Sequence, residues 1–87
     1  MQVLAEKLKE LDQIFDQCME TGDFITAFKA LLDTAKWIKE TNQLSAYEKQ
    51  ILLSAIYEAT KEFQETEKPK DPEAIELITE ILKLSKL

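Results

Sequence analysis

Glycine occurs once and proline twice in these 87 residues, and that scarcity limits the shape of the chain more than any other feature. Tight turns draw first on glycine, which tolerates left-handed backbone, and on proline, which fixes φ. A chain with so few of either can reverse direction only a few times, so it must be made of a few long elements. The rare residues stand at two places: Gly22 in "TGDF", and Pro69 and Pro72 in "EKPKDPEA". The residues between are rich in Glu, Lys, Leu, Ala and Gln, which lose little side-chain freedom in a helix. The expected fold is all-α: a small antiparallel up-and-down bundle of four helices, with a three-helix core and a docked C-terminal helix. Residues 1–87 are expected to form a single domain, since the chain is too short for two.

The apolar spacing supports this. Leu4, Leu8, Leu11, Phe15 and Cys18 follow one another at alternating steps of four and three, which places them on one side of a first helix over about residues 2–20. Ile14 and Met19 widen that stripe. Gly22 suits the left-handed residue that closes a helix, and Asp23 suits the cap that opens the next. The second helix carries Phe24, Ala27, Phe28, Leu31, Leu32, Ala35 and Ile38 on a broad face. Its opposite side holds Thr26, Ala30, Thr34, Trp37 and Thr41 and is uncharged, so this helix is expected to be central, with neighbours on both sides. Asn42 is expected to end it in a left-handed cap. "SAYE", Ser45 to Glu48, reads as a capping box that opens a third helix running to about Thr66. Its main stripe is Ile51, Leu52, Ala55, Ile56, Ala59 and Phe63; Ala46, Leu53, Tyr57 and Thr60 form a smaller second one. The residue before Pro69, Lys68, is expected to leave the helical region and stop that helix. Asp71 and Pro72 restart the chain as N-cap and first helical residue. The fourth helix is apolar over about half its circumference: Ala74, Ile75, Leu77, Ile78, Ile81, Leu82 and Leu84.

Charge narrows the function. Eleven basic residues, all lysine, face seventeen acidic ones, for a net charge of −6. No basic stripe is present to neutralise phosphates, so no nucleic acid is expected as partner, and an anionic membrane surface would repel the chain. No apolar run approaches the ~18–20 residues of a membrane span. A single cysteine, Cys18, fits a reducing compartment, and a cytoplasmic location is expected. The chain has no histidine and no arginine. It therefore lacks the commonest general base and metal ligand, and the bidentate clamp for phosphate or carboxylate. No catalysis, metal or cofactor is expected.

Gly22, Asp23 and Phe24 at the turn, with Ala27, Leu31 and Ala35 behind it and Leu11 and Phe15 before it, resemble a tetratricopeptide-type hairpin over about residues 8–40. A similar hairpin occurs in small bundles that bind tail peptides, such as the microtubule-interacting-and-trafficking type. The resemblance implies a helical pair that presents a groove to a peptide. The chain departs from the repeat pattern, because no second copy follows and stacked repeats need about three for a stable array. The same residues also describe an ordinary antiparallel helix pair.

The candidate partner-binding residues are Trp37, Leu53, Tyr57, Ala30 and Thr34. Trp37 points away from the main stripe of its helix, and tryptophan is common among interface hot spots; the bland alternative is that a neighbouring helix covers it. Leu53 and Tyr57 would extend an apolar patch if exposed, or pack inside the bundle if not. Glu58, Glu62 and Glu65 make an acidic face, read either as solvated surface or as a decoy for a basic partner. Cys18, on the core stripe near a helix C-terminus, reads as a small buried hydrophobe rather than a reactive thiol. The expected function is a small, acidic, non-catalytic protein-binding module of the regulator, adaptor or immunity type, with a protein partner or self-association. The alternative is an engineered helical bundle with a scaffold role, suggested by the caps at its helix boundaries.

Overall fold

The computed structural model describes residues 2–86, the side chain of Gln2 excepted, and is built of four helices: α1 (Gln2–Thr21), α2 (Phe24–Glu40), α3 (Ala46–Glu67) and α4 (Pro72–Ser85). The chain is all-α, a small helical bundle. Each boundary has a local cause. Gly22 takes φ +72° and its amide donates to the Cys18 carbonyl at 2.8 Å, closing α1. The Asp23 carboxylate accepts from the Thr26 amide at 3.1 Å and opens α2. At α3 both arms of the capping box form: the Glu48 amide donates to Ser45 Oγ at 3.1 Å, and the Ser45 amide to Glu48 Oε1 at 2.9 Å. The Asp71 carboxylate accepts from the Glu73 amide at 2.9 Å, with Pro72 in the first turn of α4.

One end differs from expectation. Asn42 is not left-handed; α2 closes through Thr41 in an extended conformation, φ −70° and ψ 147°. The reason lies beyond the turn. Leu44, only 6% exposed, is drawn into the core, and an extended exit carries the chain there. Pro69 follows the end of α3, and Lys68 leaves the helical region as expected, by turning left-handed, φ 46° and ψ 59°. Its amide thereby reaches the Gln64 carbonyl at 3.2 Å, at the cost of a conformation that a residue with Cβ resists.

The connections of two, five and four residues, at 22–23, 41–45 and 68–71, make consecutive helices fold back on one another. The arrangement is not a square. The α2 and α3 helices form a central pair. Helix α1 lies against both on one side and α4 lies against both on the other, and among the described residues the α1 and α4 backbones do not approach one another. The largest helix pairing is the non-sequential one between α2 and α4. One core joins all four helices: Leu4 and Leu11 from α1, Phe28, Leu31, Ala35 and Ile38 from α2, Leu52, Leu53 and Ile56 from α3, Ile78 and Ile81 from α4. Burying each large side chain of this kind contributes about 1.5–3 kcal/mol. On α4 the expected face shifts slightly, since Ile75 is 43% exposed while Ser85 is buried. The Ser85 hydroxyl is satisfied by the Ile81 carbonyl one turn back, at 2.6 Å.

Candidate functional site

The five candidate residues do not gather into one surface. Ala30, Thr34 and Trp37 share the face of α2 that meets α1. Trp37 is half-buried against the core, and the Lys7 ammonium of α1 stands 4.3 Å from its ring centroid. Lys7 also pairs with Glu10 at 3.0 Å. Helix α1 therefore covers Trp37 in part, an attraction between cation and ring helping to hold it there. Thr34 is half-buried and its hydroxyl donates to the Ala30 carbonyl at 2.8 Å. Ala30 lines a shallow cleft between α1 and α2 with Ile14, Gln17, Cys18 and Thr26.

Leu53 corrects the expected patch. It is 3% exposed and belongs to the core, so it offers nothing to a partner. The cause is the packing of α3, which touches all three other helices and needs more than one buried stripe. Tyr57 is half-buried on the α4 side, in a cleft with Ser54, Glu58, Ser85 and Lys86. Trp37 and Tyr57 thus look toward different outer helices.

Cys18 is 4% exposed. Burial pushes its thiol up, and the negative charges of Asp23 and Glu67 add to this, so the thiolate is disfavoured. Hydrogen bonds from the Thr26 side chain and amide hold the Asp23 carboxyl below its ordinary value, helped by Lys29. Among the described residues no cluster of His, Cys, Asp and Glu is placed to hold a metal ion. No described helix is long and apolar enough to cross a membrane.

A largely apolar opening lies elsewhere, between the C-terminal halves of α1 and α3. Phe15 and Met19 line one side, Ala59 and Phe63 the other, with Glu62, Thr66 and Glu67 around them, in a cleft of about 280 Å³. Met19 is 67% exposed, although its place beside the α1 stripe suggested a core residue. Phe15, expected to pack toward the second helix, lines this cleft too. Its floor is rigid. Phe63 is gripped from behind by Phe24 at 4.8 Å and Phe28 at 5.0 Å between ring centroids, in tilted and edge-on geometry. The apolar spacing places Phe15, Met19 and Phe63 toward the core; Phe15 and Phe63 do pack against it, half-buried, and Met19 departs. The available signal was that Met19 lies one position off the α1 stripe, beside Cys18, where a neighbouring helix must lie close to cover it.

Comparison with protein-family models, with curated proteins and with solved structures finds no match to this chain.

Proposed function

We propose that this chain is a small, acidic, non-catalytic protein-binding module, of the regulator, adaptor or immunity type, acting through an apolar helical surface. The observation that carries the reading is Met19, a large apolar side chain 67% exposed beside Phe15 and Phe63 in an open cleft. A methionine on a rim is a common device for binding, because its flexible thioether adapts to varied surfaces. The binding surface is therefore placed at the α1–α3 cleft rather than at Trp37, Leu53 and Tyr57. Missing histidine and arginine supports a role without catalysis. The lone, buried Cys18 suits a cytoplasmic setting.

The test is capture of interacting proteins by the wild-type chain and by Met19→Lys. The substituted position is exposed, so the fold and melting temperature are expected to hold within about 0.5 kcal/mol. Partners held by the wild type and lost by the variant support the reading. Identical capture by both, or none by either, rejects it.

A second reading, an engineered bundle with a scaffold role, is favoured by the caps on α2, α3 and α4. Idealised bundles commonly unfold above ~90 °C. Thermal unfolding well below that, with stabilisation by a partner, would favour the natural module.

A further inference from the structure

We propose that the α1–α3 cleft is the seat of a basic amphipathic helix presented by a partner protein. This rests on the reading of the cleft as a binding surface and assigns the chemistry of its occupant. Three observations carry it.

The first is where the net charge lies. Residues 12–20 of α1 hold Asp12, Asp16 and Glu20 and no lysine. Residues 58–67 of α3 hold Glu58, Glu62, Glu65 and Glu67 against Lys61 alone. These two half-helices thus carry seven carboxylates and one lysine, which is −6, the net charge of the entire chain. The other ten lysines are matched by the other ten carboxylates. The excess is therefore not spread over the surface but set on the two elements that form the cleft. Lys61 borders Glu62 and Glu65 in a neighbouring hollow and stands 5.7 Å from the Tyr57 ring centroid, so a single cation accompanies the four glutamates of this half-helix.

The second is the helix ends. Short connections bring the C-termini of α1 and α3, the negative ends of these two helix dipoles, to the same end of the bundle, beside the N-termini of α2 and α4. Helices α2 and α4 carry Lys39 and Lys83 in their last turns, as the dipole favours. Neither α1 nor α3 has a basic residue in its last turn. Glu65 and Glu67 stand in that of α3 instead, where carboxylates are unfavourable.

The third is the shape. The α3 wall runs from Ala59 to Glu67, roughly 12 Å at the helical rise, or about two turns of a docked helix. Phe15, Met19, Ala59 and Phe63 supply an apolar bed for one face of that helix. Glu62 and Glu67 are placed for lysines or arginines flanking its apolar face. A second copy of this chain would bring the same negative charge against itself, which disfavours self-pairing through this face.

The probe is a synthetic amphipathic peptide of leucine and lysine, about 18 residues or five turns long. Two counterparts replace its lysines by glutamine or by glutamate. The readout is the Met19 methyl resonance during titration of the full chain, at low and high salt. The leucine–lysine peptide is expected to shift Met19 with a Kd that weakens as salt rises. The double variant Glu62→Lys with Glu67→Lys should weaken binding about tenfold, with a melting temperature equal to or above that of the wild type. Glu76→Lys with Glu80→Lys, an equal charge change on the exposed side of α4, should leave the Kd within about twofold. Equal weakening by both double variants overturns the assignment to the cleft. Movement of Met19 with the glutamine or glutamate peptide but not the lysine peptide overturns the basic partner and leaves the binding surface standing. A Met19 shift with protein concentration alone overturns it in favour of a second copy. No movement with any peptide overturns both the basic partner and the cleft as a binding surface.

Discussion

Replacing Thr60 by valine is expected to stabilise this protein. Thr60 sits in α3 with no exposed surface, and its hydroxyl oxygen finds no hydrogen-bond partner. Other hydroxyls in these helices solve the same problem by donating to the carbonyl one turn back: Thr34 to Ala30 at 2.8 Å, Thr79 to Ile75 at 2.8 Å, Ser85 to Ile81 at 2.6 Å. An unpaired buried hydroxyl costs about 1–3 kcal/mol in lost hydration. Valine puts a methyl group in the same volume and has a similar helix propensity, so most of that cost is recovered. A rotamer mismatch in the new side chain would take back roughly 0.5–1 kcal/mol. The net expectation is a gain of about 1–2 kcal/mol, against a total stability of about 5–15 kcal/mol for a domain of this kind. At about 4–8 °C per kcal/mol, the melting temperature should rise by roughly 5–15 °C. Urea unfolding followed by circular dichroism at 222 nm would measure it, with an unchanged m-value showing that the denatured state is not the cause. Thr60→Ser is the companion, since it keeps the hydroxyl and removes the methyl, and should destabilise by about 1 kcal/mol. If valine destabilised by as much as serine, the hydroxyl would have to be bonded and the reasoning would fail.

Three further outcomes follow from backbone and caps. Gly22→Ala should cost about 1 kcal/mol in urea unfolding, purely from the left-handed φ, because nothing lies within 4 Å of the added Cβ. A cost several times larger would point to a clash that the structure does not contain. Lys68→Gly should stabilise by about 0.5–1 kcal/mol, the relief of a left-handed residue with Cβ exceeding the added freedom of the unfolded chain; a lower melting temperature would contradict it. The Asp23 carboxyl titrates below its ordinary value in the folded state, so the stability it confers is present above ~3.9, its unfolded value, and is lost as pH falls through the lower folded value. Asp23→Asn keeps a capping side chain without the titration, so its melting temperature should fall less than that of the wild type between pH 5 and pH 2, whereas parallel losses would exclude a role for Asp23.

How much of this was legible in the sequence depended on distance along the chain. The caps at Asp23, Ser45 with Glu48, and Asp71 with Pro72 are contacts within about three residues, and the residues that make them stand side by side in the sequence. Gly22 announced its turn for the same reason. Asn42 did not behave as its local signal suggested, because at 41–45 the pull of Leu44 into the core set the backbone. Lys68 left the helical region as the following proline required, and a hydrogen bond to Gln64 set which way it turned. The candidate site was harder still. Trp37 stood out correctly as lying off the main stripe of α2, yet nothing on α2 says that Lys7 of α1 covers its ring. Leu53 was read from a helical wheel that could not count how many neighbours α3 has.

The sequence by itself determined that this chain is four helices, near where each begins and ends, and which chemistries it lacks the side chains to perform. Those properties follow from propensity, capping and composition, all of which act within a turn or two. Only the tertiary structure decided which apolar residues are covered. Met19 and Leu53 are both apolar and both near a stripe, but one lies at the open cleft between α1 and α3 and the other where α3 is enclosed. The deciding fact is that α1 and α4 take opposite sides of the α2–α3 pair, and that is settled by packing between residues far apart in the chain.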